Sequence, residues 1–85
     1  MKYVVSYMKS PELYHEAFVA WDTLYDVGYD WFSIDELIDG VSIFNTRKKA
    51  EAYAREVLRE VFFDELYIVK YNPKDETFTY VSTVC

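Results

Sequence analysis

The strongest constraint on the fold is the spacing of apolar residues between positions 47 and 62. These residues recur at intervals of three and four: Ala50, Tyr53, Ala54, Val57, Leu58 and Val61. Such spacing places them on one face of an α-helix. Asn45 and Thr46, just before it, are residue types that accept hydrogen bonds from the first free backbone amides of a helix. The sequence therefore predicts a helix over about residues 47–62, with one face in a core.

Four other segments are rich in Tyr, Val, Ile and Thr, which fit the pleated surface of a sheet. They are residues 2–8, 41–44, 66–71 and 77–84. The segment 72–76, Asn-Pro-Lys-Asp-Glu, lies between the last two and is a turn sequence. We therefore expect four strands, of which the last two form an antiparallel hairpin.

A second helix is predicted over residues 11–27. Ser10 and Pro11 suit the start of a helix, and Gly28 suits its end. On a helical wheel the apolar residues fall on one side: Leu13, Ala17, Ala20, Trp21 and Leu24. That side is expected to face the core.

Residues 28–40 are expected to form a loop, in which Ser33 and Glu36 match a capping box and predict one helical turn. The element order is then β-α-β-α-β-β. Two helices and four strands in this order predict a two-layer α+β fold, with both helices on one face of a four-stranded sheet. The length of 85 residues predicts one domain over residues 1–85.

Charge and cysteine content indicate which partners and which cellular location to expect for the protein. The net charge is -6, which argues against direct binding of nucleic acid, since that needs clustered Lys and Arg. Cys85 is the sole cysteine, so no intrachain disulfide forms and a cytoplasmic location is expected. The apolar stretch at the N-terminus is too short for a signal peptide, and no segment is long enough to span a membrane.

The negative charge is concentrated in one part of the chain. Between Lys9 and Arg47 there is no Lys or Arg. The interval contains eight acids: Glu12, Glu16, Asp22, Asp26, Asp30, Asp35, Glu36 and Asp39. Residues 10–46 therefore carry a formal charge of -8, and the rest of the chain, with nine bases and seven acids, carries +2.

This distribution has two interpretations. The four acids of the predicted first helix fall within about 120° of arc, opposite its apolar side, and could be a solvated surface. Eight acids without an interspersed base exceed what solubility needs, which favours a surface that binds a basic protein. Tyr29 is the aromatic residue of the segment 25–32 expected to be exposed. The predicted binding residues are Glu12, Glu16, Asp22, Asp26, Tyr29, Asp30, Asp35, Glu36 and Asp39.

The residues needed for catalysis or metal binding are scarce. His15 is the only histidine, so a multi-histidine zinc site cannot be built. Cys85 at the last position is poorly placed to act as a nucleophile, and two glycines do not make a phosphate loop. Asp35 and Glu36 lack an evident apolar pocket that would raise a carboxyl pKa. We therefore expect no enzymatic activity, no metal and no cofactor.

Two segments carry a resemblance to known proteins. Residues 41–54, Val-Ser-Ile-Phe-Asn-Thr-Arg-Lys-Lys-Ala-Glu-Ala-Tyr-Ala, and 66–71, Leu-Tyr-Ile-Val-Lys-Tyr, resemble a pattern common in small phage and bacterial proteins. The size, tyrosine content and acidity are similar to those of small phage accessory proteins that bind and inhibit a host factor, some by mimicking DNA. The resemblance implies a non-catalytic inhibitor.

Three functions therefore remain open. The first is a non-catalytic inhibitor or modulator that covers the nucleic-acid-binding surface of a basic host protein, in the manner of a DNA mimic. The second is an antitoxin or immunity-type protein that neutralises a basic toxin. The third is a structural module that forms a homodimer or larger oligomer through an exposed sheet face or edge.

Overall fold

The computed structural model describes residues 1–9 and 16–85. In these residues there are six strands, one α-helix and a short 3-10 turn at Ile34–Glu36. The strands are β1 (Lys2–Ser6), β2 (Phe18–Trp21), β3 (Tyr29–Phe32), β4 (Ile43–Phe44), β5 (Leu66–Asn72) and β6 (Thr77–Val84), and the helix is α1 (Arg47–Glu60). The fold is therefore mostly sheet.

All six strands belong to one antiparallel sheet, in the order β3-β2-β1-β5-β6, with β4 also paired to β1. Along one edge of β1 every residue from Lys2 to Ser6 pairs with β5. The other edge is divided: Ser6 pairs with Phe18 of β2, whereas Tyr3 and Val4 pair with β4. β2 and β4 therefore separate from each other along this edge.

The expected fold of two helices on a four-stranded sheet is wrong. Of the predicted first helix, residues 11–15 lie outside the described residues, and Phe18–Trp21 forms β2. The physical reason is that Phe18, Val19 and Ala20 are all buried, because β2 is covered on both faces. A strand covered on both faces lacks the alternation of apolar and polar residues that distinguishes a strand in sequence.

The segment after β2 is a hairpin turn. Asp22 Oδ1 accepts hydrogen bonds from the backbone amides of Leu24 and Tyr25, at 3.0 and 3.1 Å. Asp26 and Gly28 adopt positive φ angles of 54° and 142°, which reverse the chain and allow β2 and β3 to pair. Asp and Gly are residue types that favour turns. The sequence prediction instead places Asp26 on the charged face of a helix and Gly28 at the end of that helix.

The second half of the chain follows the prediction. The helix over residues 47–62 is confirmed as α1, and the Thr46 hydroxyl accepts a hydrogen bond from the Lys49 amide. The hairpin of β5 and β6 is confirmed, as is the capping box of Ser33 and Glu36. The first predicted strand, residues 2–8, is shorter in the structure and ends at Ser6, whose hydroxyl forms hydrogen bonds with the backbone of Met8. The second predicted strand, residues 41–44, is reduced to β4.

Apolar side chains fill both faces of the sheet. On one face, α1 packs through Ala50, Ala54 and Val57 against a cluster that includes Val5 and Ile68. The opposite face is built around a second cluster: Val4, Phe18, Ala20, Leu37 and Val69. Leu37 comes from the loop before β4, so this loop takes the place on the second face that a helix has on the first.

Val19 and Leu24 distinguish the observed hairpin from the predicted helix. Val19 is 1% exposed and Leu24 is 80% exposed, whereas the helical wheel places Leu24 in the core. We expect Val19→Ala to lower the free energy of unfolding by about 2 kcal/mol, since it removes two buried carbons and leaves a cavity. Leu24→Ala should change it by less than about 0.5 kcal/mol. Urea unfolding measures both, and the reverse order would contradict the hairpin.

Candidate functional site

A cleft opens where β2 and β4 separate. It lies between the β2–β3 hairpin and the loop that precedes β4, and its volume is about 390 Å³. β2 pairs with β1 only at Phe18, so Ala20 and Trp21 run along one side of the opening, and Val41 and Ser42 line the other. We call this opening the acidic cleft, for the three carboxylates described below.

Tyr53 of α1 lies at the base of the acidic cleft. Its hydroxyl accepts a hydrogen bond of 3.0 Å from the backbone amide of Trp21. Burial raises the pKa of Tyr53, an effect that the hydrogen bond from Trp21 partly offsets. The phenol therefore stays neutral and holds β2 to the helix.

Three of the predicted binding residues line the acidic cleft: Asp22, Asp30 and Glu36. Each is held by hydrogen bonds to one carboxylate oxygen. Asp22 Oδ1 holds the hairpin turn, Asp30 Oδ1 accepts from the Trp31 amide at 2.8 Å, and Glu36 Oε1 accepts from the Ser33 amide at 3.1 Å. The second oxygen of each has no hydrogen-bond partner among the described residues, so the carboxylates are fixed in place with capacity to bind a further donor.

Exposed apolar side chains border these carboxylates. Leu24 and Tyr25, in the hairpin turn, are 80% and 73% exposed. Ile38 and Val41, in the loop before β4, are about half exposed, and all four line the acidic cleft. Among the described lining residues there is no Lys or Arg. The surface therefore combines negative charge with uncovered hydrophobic area, a combination typical of binding sites.

Two other predicted binding residues are engaged within the protein. The Asp39 carboxylate forms a salt bridge of 3.0 Å with Lys2. The Asp26 carboxylate accepts a hydrogen bond from the indole of Trp21. Neither residue lines the acidic cleft.

The row of carboxylates expected on a first helix does not form in the described residues. Glu16 and Asp35 are exposed and lie outside the acidic cleft. Glu12 lies outside the described residues, as does His15. The hairpin thus brings together Asp22, which directly follows β2, and Asp30 of β3, and it separates them from other acids that are near in sequence.

Tyr29 occupies a position different from the one expected. Its ring packs edge-on against Trp21 and Tyr53, with centroids 5.1 and 5.9 Å away. The expectation that Tyr29 is exposed is wrong, since it is half-buried, whereas Tyr25 and Trp31 of the same segment are exposed. Burial raises the pKa of Tyr29 to about 12.

Sequence reasoning missed the apolar border of the acidic cleft. The helical wheel places Leu24 in a core, and no sequence pattern distinguishes Ile38 or Val41 as part of a binding surface. The segment from Asp22 to Gly28 contained a usable signal, because Asp at the start and Gly at the end of a short segment are turn residues. Reading that segment as a turn places Leu24 at a hairpin tip.

Comparisons with known protein families, curated proteins and solved structures find no match to this chain. Within residues 1–9 and 16–85, no group of three or more His, Cys, Asp or Glu is placed to hold a metal ion. In the same part of the chain, no helix has the length and apolar character needed to cross a membrane.

The raised pKa of Tyr29 predicts how stability depends on pH. A phenol whose pKa is higher in the folded than in the unfolded protein stabilises the fold fully below its ordinary pKa of 10.0. That contribution is lost as the pH rises toward about 12. We therefore expect Tyr29→Phe to lose less stability than the wild type over this interval, measured by urea unfolding.

The control for this measurement is Tyr25→Phe, which removes an exposed phenol. Because the pKa of Tyr53 is also raised, phenolate absorbance should show a step near pH 12 that is smaller in Tyr29→Phe than in the wild type and unchanged in Tyr25→Phe. If the step near pH 12 kept its full size in Tyr29→Phe, the pKa of Tyr29 would not be raised.

Proposed function

We propose that the protein is a non-catalytic binding protein whose acidic cleft holds a basic segment of a partner protein. The observation that carries the proposal is that Asp22, Asp30 and Glu36 meet beside exposed apolar side chains in one cleft. The segment that fits such a surface has Lys or Arg next to an apolar residue.

The hydrogen bonds of the three carboxylates make them effective ligands for a cation. Because each is fixed through one oxygen, little side-chain entropy is lost when a Lys or Arg binds the other oxygen. Hydrogen bonds between an ammonium or guanidinium and a carboxylate are stronger than those between neutral groups. The exposed Leu24 and Tyr25 supply apolar area at the same place.

The distribution of charge favours the approach of a basic partner from the side of the acidic cleft. The acidic cleft belongs to the interval of the chain with a formal charge of -8. The exposed bases of α1 lie on a different element: Arg47, Lys48, Lys49, Arg55 and Arg59. A basic partner is attracted to the acidic cleft and repelled by these bases, which orients the encounter and makes its rate depend on salt.

The partner class that we propose is a basic, nucleic-acid-binding protein of the cytoplasm, which the chain inhibits or modulates. Surfaces that bind phosphates carry clustered Lys and Arg, the groups that three fixed carboxylates complement. The cytoplasmic location is supported by the sole cysteine, Cys85, which has no second cysteine for an intrachain disulfide. Since the expected row of acids on a first helix is absent from the described residues, the support comes from the acidic cleft.

Amide substitutions test the acidic cleft without removing its internal hydrogen bonds. The triple variant Asp22→Asn, Asp30→Asn and Glu36→Gln keeps an oxygen acceptor at each position and removes three charges. With a labelled peptide that alternates Lys and Leu as the probe, we expect its dissociation constant to rise roughly tenfold or more. Fluorescence anisotropy at low and high salt measures this change, and the triple variant should also show a weaker salt dependence.

The matched control removes three charges elsewhere, through Asp64→Asn, Glu65→Gln and Asp75→Asn. All three residues are exposed and lie outside the acidic cleft. The control should bind the peptide within about twofold of the wild type, since only long-range attraction is reduced. Equal weakening in both triple variants would mean that net charge, and not the acidic cleft, binds the peptide.

A further inference from the structure

The outer edge of β6 has no partner strand among residues 1–9 and 16–85. β6 is eight residues long and pairs with β5 along its inner edge. An edge strand of this kind presents backbone N–H and C=O groups that can pair with a further strand.

β6 lacks two of the features that usually prevent pairing at an edge, charged side chains and proline. Its sequence, Thr-Phe-Thr-Tyr-Val-Ser-Thr-Val, contains no charged residue, no Pro and no Gly. The one irregularity is a register shift opposite Ile68 and Val69, which leaves Thr77–Tyr80 as a regular run of four residues. The other edge of the sheet, β3, is only four residues long and carries Asp30. The sheet therefore has one protected edge and one open edge.

We propose that β6 pairs antiparallel with β6 of a second copy of this chain. Antiparallel pairing of identical strands is related by a two-fold axis, so that each copy satisfies the backbone groups of the other. Two chains with a net charge of -6 repel each other, but residues 77–84 carry no charge, so contact here brings no acids together within the strand pair. The dimer extends the sheet across the axis.

Tyr80 adds an exposed aromatic side chain beside this edge. The residue is 43% exposed, and the centroid of its ring lies 6.2 Å from that of Tyr67 and 5.3 Å from the Lys9 ammonium. Its hydroxyl is hydrogen-bonded to the Thr83 hydroxyl at 2.6 Å. The side chain is therefore held in one position, and its burial against a second copy costs little conformational entropy.

The dimer leaves the acidic cleft free. In the sheet, β1 and β5 lie between β6 and β2, which borders the cleft. Each copy thus keeps its own acidic cleft, and dimerisation is independent of the proposed function. The contact is confined to one strand edge and its adjoining side chains, so we expect a weak dimer with a micromolar dissociation constant.

A lysine introduced at the edge tests the pairing. Thr79 is exposed in the middle of β6, and Thr79→Lys places two like charges near the two-fold axis of the dimer. In sedimentation velocity from micromolar to millimolar concentration, the wild-type mass should rise toward twice 10.2 kDa. Thr79→Lys should weaken dimerisation at least tenfold, whereas Val27→Lys, at an exposed position of the β2–β3 turn outside the acidic cleft, should dimerise like the wild type.

Salt distinguishes this dimer from one held by charge. A dimer in which the acidic cleft of one copy binds the bases of α1 of another weakens as salt increases, whereas pairing of the uncharged β6 strands persists. A dimer lost at high salt and unaffected by Thr79→Lys would overturn the proposal, as would a wild-type protein that stays monomeric throughout the concentration range.

Amide hydrogen exchange provides a test that needs no variant. In the wild-type protein, raising the concentration should slow exchange of amides in β6 and leave those of β3 unchanged, since only β6 gains a partner strand. Slowing confined to the acidic cleft, or no slowing in β6, would overturn the proposal even if Thr79→Lys failed to fold.

Discussion

Hydrogen bonding along both edges of β1 is the interaction on which the rest of the structure depends. β5 pairs with the whole length of one edge, and β2 and β4 share the other. Val4 and Val5 point to opposite faces and are both fully buried, so β1 joins the cluster under α1 to the cluster on the other face. The division of one edge between two strands also opens the acidic cleft, so the same pairing creates the core and the candidate site.

Sequence signals were sufficient to predict the elements that depend on residues close together in the chain. The helix α1 and the hairpin of β5 and β6 depend on apolar spacing and turn residues within a few positions, and both were predicted. β2 was not predicted, because Phe18, Val19 and Ala20 are buried on both faces by elements distant in sequence. An apolar run of this kind fits a helix wheel as well as a strand, and only its pairing with β1 and β3 decides between them.

The candidate site was predicted in part. The acid-rich interval of the sequence contains all three carboxylates of the acidic cleft, but the grouping of Asp22 with Asp30 and Glu36 follows from strand pairing. No local pattern shows that Asp39 pairs with Lys2, 37 residues away, or that Leu24 is exposed. Charge distribution therefore located the region, and the fold selected the residues within it.

The proposed function rests on the binding of a basic, partly apolar segment in the acidic cleft. The most direct test is an NMR titration of the labelled protein with the Lys-Leu peptide, following every backbone amide. We expect shift changes to concentrate in residues 22–25, at Asp30 and in residues 36–42, with little change in α1 and β6. Changes spread evenly over the acidic surface, or centred on α1 or β6, would contradict the proposed function.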